Sequence, residues 1–342
     1  MKAERSRKMA QEYRIAGITV TRGEKKLGYL DIAKMASGFD LRIAVHVIAG
    51  AKSGPTLCLL GTMHGDETLA MDIIQEILDK IKPKDLSGQI VALPIVNPLS
   101  FEAQTYLTPQ DMKNIDRLFP GNMEDSLTEK MTSILTKEII NNVDCILNLH
   151  GGGTHTVNEF TSVHKLTGKV GKEVIELAKV FGQKILYLAP PYAGSCIDYA
   201  AETRGVPGIT PEIGTDLMWA PHVAKFVEIG VRGVKNVLKH LDMLQGKIER
   251  PEKQILLKHR KTFKARHGGM FYPEFGLEDL GKVLPKGTML GRTLNPQTFE
   301  EVERITTPYE KGILFLVRGR GRVHPGDYMF HVGDMKTAER IT

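Results

Sequence analysis

Cysteine is scarce in this 342-residue chain. The three present, Cys58, Cys145 and Cys196, lie far apart with no CxxC pair, which excludes a disulfide framework and a paired-thiol site. Cys58 and Cys145 sit in apolar, strand-like runs and read as buried packing residues. Cys196 stands in the polar stretch AGSCIDYA, but no base motif accompanies it, so a nucleophilic role is set aside. No stretch approaches the roughly 20 apolar residues that a membrane-crossing helix needs. The N-terminal MKAERSRKMAQEYR is basic with no apolar segment behind it, so it does not read as a secretory signal, and the cytoplasm is the expected location. Tandem repeats of roughly 20–50 residues and low-complexity tracts are also missing.

What remains is an ordinary globular composition, with 42% hydrophobic and 25% charged residues. That excludes disordered and collagen-like classes, allows a sizeable core, and at this length suggests two domains. Lys plus Arg number 46 against 40 for Asp plus Glu, a net charge of +6 spread along the chain. This mild excess reads as a solvated surface or as a fit to an anionic small molecule. Nucleic acid would call for a clustered basic face, and no membrane partner is implied. A homo-oligomer is compatible with the composition.

The first two-thirds alternate between strand-like and helix-like patterns. Apolar, β-branched runs occur at 41–49, 56–62, 89–96, 144–149, 184–189 and 206–213. Between them, 67–81 carries apolar residues at a 3.6-residue period, and 126–142, 169–182 and 221–244 also read as helices. Such alternation predicts an α/β domain with a largely parallel sheet. The segment IERPEKQ near residue 250 reads as a linker, and beyond it Gly, Pro and short apolar runs predict a small, mostly β unit.

The sharpest chemical signal is Gly61-Thr62-Met63-His64-Gly65-Asp66-Glu67, between a strand and an amphipathic helix. Loops at the carboxyl ends of parallel strands are where α/β proteins build sites. His64 and Glu67 are three apart and can face one point, and a ring nitrogen with a carboxylate oxygen suits zinc. The HExxH form, in which one helix supplies both histidines, is absent, so the second must come from elsewhere. His150 is the best candidate, ending a strand before Gly151-Gly152-Gly153, whose lack of Cβ atoms permits close backbone approach. A lone strand-end histidine is usually structural; the combination with HxxE favours a metal site with an open coordination position. Glu212, in TPEIG at a further strand end, could accept a proton from water, although most such glutamates are merely solvated and Asp66 and Asp216 are alternatives. Arg117, in NIDRLFPG, offers a fork suited to a carboxylate or to a surface ion pair.

HGDE, VNP (96–98), NIDRLFPG, NLHGG and TPEIG occur in this order and together resemble the succinylglutamate desuccinylase and aspartoacylase family, relatives of the zinc carboxypeptidases. The resemblance covers roughly residues 40–250, and the tail looks like the small barrel-sandwich domain of many members. It implies an α/β, zinc-carboxypeptidase-like three-layer sandwich with a mixed, largely parallel sheet over 1–250, and a β-rich, lipoyl-like barrel-sandwich domain over 251–342. The implied activity is a zinc-dependent amidohydrolase that removes an N-acyl group from an amino acid or related amine. His64, Glu67 and His150 would hold one Zn2+ per chain, Glu212 would be the base, and Arg117 would bind a substrate carboxylate, with Asp116, Asn97 and Tyr106 as further substrate-side positions.

The chain departs from the family pattern in three places. Asp116 replaces the Asn usual before the Arg, which partly neutralises Arg117 and favours a substrate bearing an amine. Tyr106 stands where many relatives carry an Arg that polarises the scissile carbonyl, and Asn148 replaces a frequent Asp. These keep two alternatives open: a metallocarboxypeptidase for short peptides, and a metal-retaining binding protein without catalysis. Lys311, in TPYEKGILF, lacks the setting of a cofactor-carrying lysine, so the tail is expected to wall the active-site mouth or to make an oligomer contact.

Overall fold

The structure is a computed structural model and describes residues 12–216 and 220–341. Most of the basic N-terminal segment, residues 1–11, therefore lies outside the described residues. Each of the six apolar runs forms a strand: Asp40–Ala49, Lys52–Leu60, Ser87–Leu93, Cys145–Asn148, Ile185–Ala189 and Gly208–Gly214. The four periodic segments form the helices Leu69–Lys80, Leu127–Glu138, Gly168–Phe181 and Ala220–His240.

A mixed sheet of 14 strands among the described residues organises the molecule. At its centre Ser87–Leu93, Lys52–Leu60, Cys145–Asn148 and Gly208–Gly214 lie side by side in parallel. The strands next to this parallel centre are antiparallel to it on both sides, and Ile185–Ala189 runs parallel to Thr156–His164 further out. Asp40–Ala49 and Lys25–Lys34 extend one side, and Thr156–His164 extends the other. Beyond Thr156–His164 come Lys311–Arg318, Tyr328–Asp334 and Arg260–Lys264, all from the C-terminal third. Four further tail strands form a separate sheet in the order Glu301–Thr306, Met289–Leu294, Gly269–Pro273, Gly321–Val323, and no closed barrel forms among the described residues.

Successive side chains of a strand point to opposite faces, so a doubly covered strand must be apolar throughout. Lys52–Leu60 shows this: Leu57 and Leu59 enter one core with Ile73, Phe181 and Phe226, while Cys58 and Leu60 enter the other with Met131, Leu135 and Ile197. Helices Leu69–Lys80, Gly168–Phe181 and Ala220–His240 cover the first face; Leu127–Glu138 and Cys196–Arg204 cover the second. All three cysteines are buried and unpaired. Burial raises the Cys196 thiol well above its ordinary range, which leaves no thiolate for nucleophilic attack. Among the described residues no helix is long and apolar enough to cross a membrane.

The loop from Leu60 to Leu69 is pinned by Gly65. A Cβ there would lie 1.8 Å from the Ser100 carbonyl oxygen, in the short helix Pro98–Ala103. Thr62, just upstream, takes a left-handed φ of 47°, an expensive conformation for a β-branched residue. Gly65→Ala is expected to lower stability in chemical denaturation by about 1–3 kcal/mol, the usual range for overpacking. Gly276→Ala, where a Cβ meets nothing within 4 Å, is expected to stay within about 0.5 kcal/mol of the parent. Equal midpoints for the two variants would show that Gly65 is not clamped.

Candidate metal centre and its cavity

The chemical groups gather at the carboxyl edge of the parallel strands. His64 follows Lys52–Leu60, His150 follows Cys145–Asn148, and Glu212 lies within Gly208–Gly214. All three open into one cavity of about 640 Å3. His150 and Glu212 are held side by side by the backbone: His150 donates to the Pro211 carbonyl at 3.0 Å, and Ile213 donates to that of His150 at 2.9 Å.

Glu67 sits between the two rings, with Oε1 3.0 Å from His64 Nδ1 and Oε2 2.8 Å from His150 Nδ1. The three residues are 3%, 8% and 6% exposed, and their ligand atoms all lie within 4.8 Å of one another. The protonation pattern can be read from Asn114. Its Oδ1 accepts the Asp116 backbone N–H at 2.9 Å and its Nδ2 donates to the Tyr106 hydroxyl at 3.1 Å, which fixes the amide's orientation. Oδ1 therefore faces His64 Nε2, 3.1 Å away, as an acceptor, and Nε2 carries the hydrogen. The Nδ1 of a neutral His64 then points a lone pair at a carboxylate. Lone pairs converging in a dry site require a proton or a cation between them, so the residues present fit a metal. Two nitrogens and one carboxylate make the set that suits a catalytic zinc, and the Asn114 contact is the outer hydrogen bond that orients a ligand histidine.

Charge follows the same geometry. Burial alone would raise the Glu67 carboxyl, but the two rings hold it well below the ordinary carboxylate range. Burial would lower His150, but Glu67 outweighs it and holds the ring at about 9. Burial pushes Glu212 up to about 7, against the pull of His150, and its Oε2 accepts from Asn158 Nδ2 at 2.9 Å. Of the alternative acids, Asp216 accepts the Thr68 N–H with both oxygens at 2.8 Å, at the start of helix Leu69–Lys80, and does not line the cavity. Asp66 does line it, raised to about 6 by burial.

The remaining sequence-predicted residues divide. Asp116, Arg117 and Tyr106 line the cavity. Tyr106 stacks on the His64 ring, centroids 3.9 Å apart. Asp116, 2% exposed, accepts the Tyr192 hydroxyl at 2.9 Å, and its Oδ1 has no hydrogen-bond partner among the described residues. Arg117 donates to the Asp116 carbonyl at 2.6 Å, and its guanidinium lies 3.9 Å over the Tyr192 ring. Asn97 is not brought to the cavity. It is wholly buried, accepting from Ser100 N at 3.2 Å as the N-cap of Pro98–Ala103 and donating to Thr108 at 2.9 Å. Asn148 is buried as well, with its Nδ2 3.9 Å from the Met63 sulfur.

Sequence reasoning missed the strand Thr156–His164, although its signal was present. Thr156, Asn158, Phe160, Ser162 and His164 alternate along it and all line the cavity. A face that lines a site can be polar, which disguises the period of two. Tyr192, in a Pro- and Gly-rich loop, and Arg260, in the tail, gave no such signal.

In metal-free protein the triad should make stability depend on pH in both directions. Glu67, depressed in the fold, stabilises above its unfolded value and that contribution is lost on acidification. His150, raised to about 9, stabilises fully below its unfolded value, and that contribution is lost as pH rises through 9. Chelator-treated protein should lose on the order of a few kcal/mol between about pH 6.5 and 9. His150→Asn should flatten that decline; an equal slope in the variant would remove the ion pair from the account.

Residues 53–241 match the succinylglutamate desuccinylase/aspartoacylase catalytic domain. An N-alpha-acetyl-L-2,4-diaminobutyric acid deacetylase from Halomonas elongata is 30% identical over 208 residues, which span 60% of this chain and 60% of that relative's length. The product-bound ectoine utilization protein EutE (DoeB) from Ruegeria pomeroyi superimposes with a TM-score of 0.81 at 24% identity, over 92% of this chain and 97% of that one. A succinylglutamate desuccinylase/aspartoacylase from Rhodobacter sphaeroides gives a TM-score of 0.80 at 23% identity, over 94% and 99% of the two chains. At those identities the structural likeness bears on the fold, while the domain match covers more than half of the sequence: the chain belongs to the succinylglutamate desuccinylase/aspartoacylase family.

Proposed function

We propose that the protein is a zinc-dependent amidohydrolase that removes an N-acyl group from a small amino compound. The observation that carries this reading is the buried His64–Glu67–His150 cluster opening into the cavity that holds Glu212, a carboxyl raised to about 7. A zinc held by the three groups would supply Lewis acidity toward the acyl carbonyl and acidify water at the site. Glu212 is matched to the proton transfer. Near neutrality its carboxyl can take a proton from the attacking water as the C–O bond forms, and return it to the amine nitrogen as the C–N bond breaks. His64, Glu67 and His150 are committed to the metal and cannot do this, and Asn158 keeps the Glu212 carboxyl oriented.

Asp116 places a buried carboxylate in the wall, suited to a substrate amine, while the neighbouring Arg117 guanidinium is taken up by the Asp116 carbonyl and the Tyr192 ring. The name of the Halomonas relative, a deacetylase for an acylated diamino acid, supports a substrate with a second amine. The cavity volume, about 640 Å3, and the tail residues that wall it favour a small acylated amine over a longer peptide.

A panel of N-acylated amino acids and dipeptides tests the reading; no turnover of any member by zinc-loaded protein would overturn it. Purified protein is expected to hold about one equivalent of zinc, lost in His64→Ala and His150→Ala; full zinc content in both variants would remove the metal assignment. Glu212→Gln keeps the side chain's size and is expected to retain zinc while kcat falls by roughly 10²–10⁴-fold. A near-normal kcat would move the base to another acid, with Asp66 next. Asp116→Asn is expected to shift preference toward substrates without a second amine, read as the ratio of kcat/KM values.

A further inference from the structure

Arg260 is a charge without a partner. It opens the strand Arg260–Lys264, lines the cavity, and rests its guanidinium 4.1 Å over the Tyr187 ring. No hydrogen-bond acceptor and no ion-pair oxygen meets its five N–H donors among the described residues. The other two cavity arginines are engaged. Arg318 donates to the carbonyls of Tyr328 and Arg322 and to Asp327, each at 3.2 Å. Arg117 donates to the Asp116 carbonyl, with the Asp116 carboxylate 3.5 Å away.

A second unpartnered group stands beside it. Thr262 pairs across the ladder with His331, so Arg260, two residues from Thr262, shares a sheet face with His331. His331 lines the cavity and is 5% exposed, and no hydrogen-bond partner meets its Nδ1 among the described residues. Burial, reinforced by the Arg260 charge, keeps its ring neutral, so it can present one N–H without adding a second charge. The guanidinium is half-buried and takes no acceptor from the fold, so its fork is free to bond one that a ligand supplies. A carboxylate matches the guanidinium fork in two parallel bonds, and the Tyr187 ring holds one face of the fork in place.

We propose that Arg260 and His331 form an anion subsite in the C-terminal wall of the cavity, and that this subsite takes the carboxylate of the substrate. The assignment rests on the reading of the cavity as an N-acyl amino acid site. It divides the recognition between two walls: Asp116 meets a substrate amine, and Arg260, from the tail, meets the carboxylate. Glu212 is the acid whose charge Arg260 feels, so an indirect role through Glu212 must be separable.

N-acetyl-L-alanine and its carboxamide, which differ only in that charge, are titrated calorimetrically onto zinc-loaded protein in a Glu212→Gln background, where the proposed reaction is slowed, and turnover is followed in parallel with Glu212 intact. The parent is expected to bind the carboxylate at least about tenfold more tightly than the carboxamide, a difference of roughly 1.4 kcal/mol. Arg260→Gln should abolish that preference by weakening the carboxylate alone, and Arg260→Lys should restore part of it, since the charge returns without the fork. His331→Phe, which keeps the ring's bulk, should reduce the preference by a smaller factor. A preference unchanged in Arg260→Gln, or no preference in the parent, overturns the subsite. Equal losses on both compounds with a shifted pH profile also overturn it, and make Arg260 a group acting through Glu212. Because binding is read without turnover, a protein that binds as expected but hydrolyses nothing would defeat the amidohydrolase reading and leave the subsite standing.

Discussion

Three sets of lone pairs aimed at one dry point are the constraint on which the site depends. His64 Nδ1, His150 Nδ1 and the Glu67 carboxylate would repel one another if nothing positive lay between them, and burial removes the water that would soften the repulsion. The surroundings hold this arrangement in place. Asn114 fixes the tautomer of His64, the Gly151 N–H donates to Glu67 at 3.3 Å, and Gly65 brings the loop hard against the neighbouring helix. Each support is a backbone group or the half-buried Asn114 amide, so the geometry is set before any ligand arrives. Such preorganisation is what lets a site bind a metal tightly and use it without rearrangement.

Much of this was legible in the sequence because it follows from local rules. The six apolar runs became strands, since an α/β sheet covered on both faces leaves its central strands no polar positions. His64, Glu67, His150 and Glu212 could be placed at one edge because the loops after parallel strands all emerge there. What escaped is what only tertiary pairing decides. Thr156–His164 looked irregular because half of its side chains face a cavity rather than a core. Asn97, drawn into the substrate-side group by its motif, proves to be a helix cap, a role that an Asn-Pro pair serves equally well. Arg260 carried no local signal, because its place depends on ladder pairing with a strand some 70 residues further on.

The cavity is a joint product of two parts of the chain. The central strands provide the histidines and carboxylates, and the tail strands provide the wall that carries Arg260, Arg318 and His331. A continuous hydrogen-bonded ladder joins the two, so the opposing walls keep a fixed spacing.

Thr156–His164 pairs with Gly208–Gly214 on one side; on the other, its Thr161–His164 end pairs with Ile185–Ala189 and its Thr156–Asn158 end with Lys311–Arg318. During synthesis Ile185–Ala189 and Gly208–Gly214 follow within some tens of residues, but Lys311–Arg318 emerges only about 100 residues after Gly208–Gly214. Over that interval only the Thr156–Asn158 end of the strand is left without its neighbour, a short open edge of the kind that recruits other chains. The order in which the ribosome delivers the strands thus leaves this protein a window of vulnerability to aggregation, which closes when Lys311–Arg318 docks and the cavity gains its last wall.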